Sequence, residues 1–442
     1  MRTRDRSAAL RILLGAFGDP GHAFPMIALG RALADRGHEV TLQTWTRWRE
    51  HVLAEQLGFA PAPEYQVFPT GPEPLDFYEA IVHATLDTVP LVRRLEPDVV
   101  VADILTLAPA LAAVRVDVGD ERRACNALEL GGEPHFPVYS LGARMPRTKL
   151  GRGFWRVAQA PVARGLQRGR AELNRTRARL GLAPHAHVHG GISRQLALVA
   201  TFPQLEYPRA WANGAHVVGP LMWEPPARDV EPPAGEEPLV LVAPSTAQDP
   251  EHRLLRAALR GLADAPVRVL ATWNRRLPPR GLPVPDNARV VDWVSYSRTM
   301  PLCELVICHG GHGTLVRALS SGCAVVAAPA AGDMNENAAR VAWAGAGVRV
   351  PRRFVTPRVI RLAVERALGD SAMRLRAREL GAWAAAHDAG TAAAELIEAL
   401  AAASTAASTR GRESAQSQAR ASARMLAGPP APPPSARTRA GR

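Results

Sequence analysis

The sequence predicts an α/β chain of two units, each a parallel sheet flanked by helices. Three features of its 442 residues point there. Short continuous apolar runs recur along the chain, they alternate with stretches of helical periodicity, and the alternation restarts after a proline-rich acidic segment that begins near Met222.

Taken in order, Arg11–Ala16 (RILLGA) reads as a buried strand and the following GDPGH as a turn. From Pro25 to Arg36, the residues Met26, Ile27, Leu29 and Leu33 recur at helical spacing, and Gly37 ends that helix. HEVTLQT is the next strand. Strand, turn, helix and strand at this spacing form a βαβ unit, whose right-handed crossover makes a parallel pair. Pro97–Asp103 (PDVVVAD) is an apolar run of the kind buried on both sheet faces. Basic helical stretches fill roughly residues 147–180. After Val217–Leu221 (VVGPL), the stretch WEPPARDVEPPAGEEP reads as a linker. PLVLVAPST, VRVLATW, ARVVDWV, ELVICHGG and AVVAAPAAG then supply a second set of strands with helices between them. The predicted division is 1–220 for the first domain, 221–237 for the linker, 238–401 for the second domain and 402–442 for a disordered basic tail. That tail is Ala/Ser/Arg/Pro-rich and lacks periodicity.

Composition narrows the class. A hydrophobic content of 47% against 21% charged residues suits a large buried core. No apolar run approaches the roughly 20 residues that span a bilayer. The opening MRTRDRSAALRILLG is basic then apolar, but GDPGH cuts it short, so it reads as a first strand rather than a signal peptide. Four cysteines (Cys125, Cys303, Cys308, Cys323) without metal-type spacing argue against a disulfide framework or a zinc site, and the expected location is the cytoplasm. The net charge of +13 is almost all arginine, Lys149 being the only lysine. Seven of those arginines follow Ser404, against the single acid Glu413. The remainder is spread without a compact basic run, so nucleic acid is not an expected partner.

The strongest chemical signal is Cys308–Val348. A buried strand runs into His309-Gly310-Gly311-His312-Gly313-Thr314, and a helix begins at once. Glycines there let the backbone approach a ligand and turn its N–H groups outward, while the helix start adds about half a positive charge. Such a spot attracts phosphate, and His309 and Thr314 can add hydrogen bonds to a diphosphate. The competing reading is a plain strand-to-helix turn. The second constellation is GDPGHAFP, which puts His22 at the C-terminal edge of the first strand, where ligands of open α/β sheets bind. Histidine suits proton removal near neutral pH, and Asp103, closing its own strand, can reach the same edge.

The run from Cys308 to Val348, with Asp333 and Asn337 on the loop and helix that follow its second strand, resembles the donor-sugar signature of family 1 glycosyltransferases, the group that includes macrolide and other natural-product enzymes. The resemblance covers nearly the whole ordered chain, ELNRTRARLGLAP and VVGPL included. It implies two facing Rossmann-like domains (the GT-B fold), each with a parallel sheet flanked by helices, with the acceptor held mainly before Pro220 and the donor mainly after it. It also implies a donor site of Ser245, Trp293, His309, Gly310, Gly311, Gly313, Thr314, Asp333 and Asn337. Within it, Trp293 stacks on the nucleobase, His309 and Thr314 meet the diphosphate, Ser245 lies near the phosphates and Asp333 holds sugar hydroxyls. The histidine of the G-H-x-x-P frame matches the family's base, with Asp103 as its partner. The implied reaction is one inverting displacement from a UDP- or TDP-sugar onto a small, largely apolar acceptor, without a metal or a resident cofactor.

Three departures stand out. Arg317 occupies the place where many relatives carry a ribose-binding glutamate, and an arginine cannot accept those hydrogen bonds. Either ribose recognition differs, or Arg317 turns outward on a solvated face. Met334 replaces a glutamine, which suits a less hydroxylated sugar. Val114–His135 is charged where an apolar strand leading to the acceptor is expected, although VRVDV could still be a strand. Two alternatives stand beside the enzyme: a catalytically inactive relative that activates a partner protein, and an NAD-dependent dehydrogenase. GAFGDPG departs from the G-x-G-x-x-G that the latter needs.

Overall fold

The computed structural model describes residues 9–64, 77–116, 124–127, 136–186, 193–211, 214–245, 248–274 and 281–405. The first sheet contains β1 (Arg11–Gly15), β2 (Glu39–Thr44), β3 (Gly58–Pro61), β4 (Val99–Asp103), β5 (Ala124–Ala127), β6 (Ala197–Val199) and β7 (Ala215–Val217). Its strand order is β3-β2-β1-β4-β5-β6-β7, and every pair is parallel. Around it lie α1 (Pro20–Asp35), α2 (Arg49–Ala54), α3 (Phe77–Leu95), α4 (Ala108–Val116), α5 (Lys149–Ala158) and α6 (Ala160–Arg179).

The second sheet repeats the plan with β8 (Leu239–Ala243), β9 (Arg268–Thr272), β10 (Ala288–Val291), β11 (Leu305–Cys308), β12 (Ala324–Ala327) and β13 (Gly347–Arg349), in the order β10-β9-β8-β11-β12-β13. Its helices are α7 (Arg253–Leu262), α8 (Tyr296–Thr299), α9 (His312–Ser320), α10 (Met334–Trp343), α11 (Pro357–Gly369) and α12 (Ser371–Ala386). The central strands β4, β8, β11 and β12 are buried at every position, which explains why they read as unbroken apolar runs.

Several details differ from expectation. The first helix starts at Pro20 rather than Pro25. Asp19 sits in extended backbone as its N-cap, and Pro20 fills a first-turn position that has no N–H to lose, so His22 lies in the first turn. VRVDV supplies no strand at its start, because Val114–Val116 close helix α4 and the sheet is continued by Ala124–Ala127. The rest of Val114–His135 falls outside the described residues.

The two units interlock near the predicted boundaries. Residues 389–405 form a final helix whose Ala389, Ala393, Ala394 and Ile397 join the core of the first sheet. Glu398 ties it there through Arg36 and His38 at 2.7 and 2.8 Å, and those partners hold its carboxyl down at about 2. The helix continues through residue 405, past the predicted start of the tail at 402; residues 406–442 lie outside the described residues. Trp223, at the head of the predicted linker, is buried against Phe24 and His51 and donates to Glu55 at 2.7 Å. Phe202 and Leu205 lie in the core of the second sheet.

Candidate active site

In each sheet the strand order reverses beside its first strand, between β1 and β4 and between β8 and β11. Loops leaving the carboxyl ends of such strand pairs diverge, opening a crevice where ligands of α/β sheets bind. The predicted residues divide between these two crevices.

At the first crevice, His22 projects from the opening turn of α1 and Asp103 closes β4. The Asp103 carboxylate lies 2.9 Å from His22 Nδ1 and accepts the Phe17 backbone N–H at 3.2 Å. With Nδ1 engaged, Nε2 is the nitrogen left for a proton. Burial pulls the His22 pKa down, yet the hydrogen bond and charge of Asp103, joined by Asp19 and Asp333, leave it above the ordinary 6.5. The turn before it is packed tightly: a Cβ on Gly18 would meet the Trp45 ring at 2.0 Å, and Trp48 Nε1 donates to the Gly18 carbonyl at 2.7 Å.

Phe17, edge-on to both His22 and Trp45, also lines a mostly apolar, open cleft. Trp45, Ile81, Leu105 and Leu107 form much of its wall, with Gln43, Thr88 and Thr106 as polar points. None of these wall residues was a predicted site residue, because they come from loops and helices far apart in sequence and carry no motif.

At the second crevice, Ser245 follows β8 and accepts the Gln248 N–H at 2.9 Å. His309 follows β11, with Nδ1 3.3 Å from the Ala243 carbonyl; burial outweighs the nearby Asp333 and Asp249 charges and lowers its pKa, keeping it neutral. The glycines are not interchangeable. Gly310 has φ +79°, and a Cβ there would come 2.9 Å from the Met334 carbonyl. A Cβ on Gly311 would lie 2.4 Å from His309 Nε2, whereas one on Gly313 meets nothing within 4 Å. Gly311 is the N-cap of α9 and makes no side-chain cap, so the first N–H groups of that helix, Gly313 and Thr314 included, have no acceptor within it.

His312 turns the other way, meeting Thr201 Oγ1 at 3.0 Å, and burial drops its pKa to about 4. Asp333 is the exposed N-cap of α10. Its charge favours the protonated form of His22, His309 and His312, although burial still lowers the pKa of the last two. Asn337 is buried and donates to the Gly310 carbonyl at 3.1 Å, bracing the glycine loop from behind. Trp293 follows β10 and stacks on Tyr296 at 5.6 Å.

Arg317 does not turn outward. Its side chain is 12% exposed, donates to the Trp223 carbonyl at 3.0 Å and lies 3.8 Å from Glu224. The Glu224 carboxylate in turn accepts from Ser295 Oγ at 2.7 Å, Ser297 Oγ at 2.6 Å and the Tyr296 N–H at 3.1 Å. Burial opposes ionisation of Glu224, but these donors and Arg317 hold its pKa below the usual carboxylate range. Sequence gave no sign of this clamp, because Glu224 lies in the stretch that reads as a linker.

Residues 257–400 match the family described as "Erythromycin biosynthesis protein CIII-like, C-terminal domain". The chain is 30% identical over 421 residues to 4'-demethylrebeccamycin synthase of Lentzea aerocolonigenes, covering 88% of this chain and 99% of that protein. It is also 30% identical over 435 residues to O-mycaminosyltylonolide 6-deoxyallosyltransferase of Streptomyces fradiae, covering 88% and 97%. Among solved structures, the glycotransferase of kitacinnamycin superposes with a TM-score of 0.70 at 21% identity, over 89% of this chain and all of that one.

Proposed function

We propose, from the premise that the chain belongs to the family 1 natural-product glycosyltransferases, that it transfers a hexose or deoxyhexose from a UDP- or TDP-sugar to a hydroxyl of a small, largely apolar acceptor. The observation that carries this reading is the His22–Asp103 pair at one switch point, opposite the His309–Thr314 loop at the other, with Asp333 acting on both histidines.

His22 Nε2 takes the proton of the acceptor hydroxyl, and Asp103 stabilises the imidazolium that forms. The acceptor oxygen attacks the anomeric carbon from the face opposite the diphosphate. The bond from that carbon to the diphosphate oxygen breaks, and the nucleoside diphosphate leaves with the electron pair, inverting the centre. The N–H groups at the start of α9, His309 and Thr314 meet the charge that grows on the diphosphate. They make a resident metal unnecessary in this reading, and turnover unchanged by a chelator is its check. Asp333 takes sugar hydroxyls, and Ser245 lies at the phosphate end. Trp293 is the residue that meets the base. Asn337 acts one step back, through the Gly310 carbonyl.

Two features favour a thymidine donor carrying a deoxysugar. Arg317 is spent on Glu224 and Trp223, leaving no carboxylate on α9 for a ribose diol. Met334 offers no hydrogen bond to a sugar hydroxyl. One of the relatives is by name a 6-deoxyallosyltransferase. The apolar cleft beside Phe17 is the acceptor pocket. Family membership removes the dehydrogenase alternative, and the intact His22–Asp103 pair favours an enzyme over an inactive activator.

The test is thermal stabilisation by TDP, UDP and NAD, followed by turnover with the matching nucleotide sugar. Stabilisation by TDP above UDP, with none by NAD, is the expected result. No response to either nucleotide would overturn the donor reading. Binding without any transfer or donor hydrolysis would favour the inactive relative.

A further inference from the structure

Helix α5 (Lys149–Ala158) is ten residues long, about 15 Å, and Thr148 caps it by accepting the Gly151 N–H. Leu150, Phe154 and Val157 follow at i, i+4 and i+7, one face of the helix. They are 88%, 64% and 76% exposed, while Trp155, on the other side, is half-buried. Lys149 and Arg156 border that apolar face along one side, and Arg152 lies on the opposite side of the helix. Arg147 precedes the helix, and Arg164 and Arg168 follow on α6, which packs against it. Between residues 144 and 171 the sequence contains no aspartate or glutamate.

We infer that α5 is an interfacial helix that docks this chain on an anionic lipid surface. A soluble chain rarely leaves three large side chains together in water on one short helix. An apolar stripe with an aromatic residue, bordered on one side by cations and set in a stretch of sequence without acids, fits the boundary between lipid headgroups and acyl chains. Uniform positive charge repels a basic partner and matches the negative leaflet. The docking is independent of the donor and acceptor assigned above, and its test involves no turnover.

The test is co-sedimentation of the full chain with vesicles of equal parts phosphatidylglycerol and phosphatidylcholine, against phosphatidylcholine alone, at low and high salt. Partitioning into the anionic vesicles that fades with salt is expected. The triple variant Leu150→Gln, Phe154→Gln, Val157→Gln should lose about tenfold or more, with its melting temperature unchanged. Each of Lys149→Glu and Arg156→Glu should lose at least about fivefold, since one cation near the surface is worth about 1 kcal/mol. All variants keep the arginine-rich C-terminal residues, so binding driven from there would leave them equal to the parent and overturn the inference. Equal binding to neutral vesicles would overturn it too. So would no binding to either vesicle, the outcome if an acidic protein covers the helix.

Discussion

Asp103→Asn tests the catalytic pair with almost no change of volume. In the parent, the carboxylate is 5% exposed and receives two N–H groups, from the His22 ring at 2.9 Å and the Phe17 backbone at 3.2 Å. Asparagine offers one acceptor oxygen and one donor NH2 in their place. The Phe17 N–H is fixed by the backbone and claims the oxygen, so the NH2 faces His22. That forces the ring into the tautomer protonated on Nε2, which can no longer take a proton. The loss should approach the whole of general-base catalysis, about 10² to 10⁴ in kcat, or roughly 3–5 kcal/mol of barrier. The pH profile supplies a second reading. The base works when neutral, so kcat/KM of the parent falls as pH drops through the raised His22 pKa. Without the carboxylate, burial, the largest effect, is opposed only by the Asp19 and Asp333 charges and pulls that pKa down, so the acid limb of any residual activity moves to lower pH. Initial rates from pH 5 to 9, with nucleotide affinity measured alongside, check both points. A kcat within threefold of the parent, or an acid limb that stays put or moves up, refutes the base assignment.

Three further outcomes follow from the same geometry. Gly311→Ala drives a Cβ to 2.4 Å from His309 Nε2, so the ring must swing off the Ala243 carbonyl; nucleotide affinity should fall about tenfold, with stability changed by less than about 1 kcal/mol. Arg340→Met leaves the buried Glu336 without its cation and Glu206 with Arg209 alone, at a cost of about 3 kcal/mol. Burial already pushes the Glu336 pKa up, so this deficit should shrink in melts at lower pH, and an unchanged melting temperature would dismiss the cluster. His312 is held neutral at about 4 against 6.5 unfolded, so below pH 6.5 the unfolded chain takes up a proton that the native one refuses. Stability from this site is present above pH 6.5 and is lost progressively down to about pH 4, and His312→Asn should flatten that part of a melting-temperature profile.

What could be read ahead of the structure follows a physical divide. β1, β4, β8, β11 and β12 are central strands, buried at nearly every position, so their composition alone marks them. Strands β6, β7 and β13 have three residues each, too few for any periodicity to show, and they exist only because a neighbour is there to pair with. The placement of His22, Asp103 and the glycine loop at the strand ends was legible, because strand ends are visible in sequence. The walls of the apolar cleft were not, since packing brings Trp45, Ile81 and Leu105 together with no local pattern. The last helix carries an alanine-rich stripe that could suit either unit. Its choice of the first depends on Arg36 and His38, more than 350 positions away, meeting Glu398.

Arg317 shows how a departure from a family pattern becomes interpretable once its neighbours are known. Alone, a cation in place of a ribose-binding acid reads as a lost contact. In the structure, Arg317 faces Glu224, whose carboxylate also gathers Ser295, Tyr296 and Ser297, the turn directly after Trp293. The same clamp fastens the start of the interdomain stretch, through the Trp223 carbonyl, to the face of α9 that follows the diphosphate loop. Trp223 itself is rooted in the first core beside Phe24, two residues along α1 from His22. A single chain of contacts therefore runs from the turn after Trp293 to the helix that carries His22. Arg317 thereby forms part of a buried tie between the second unit and α1.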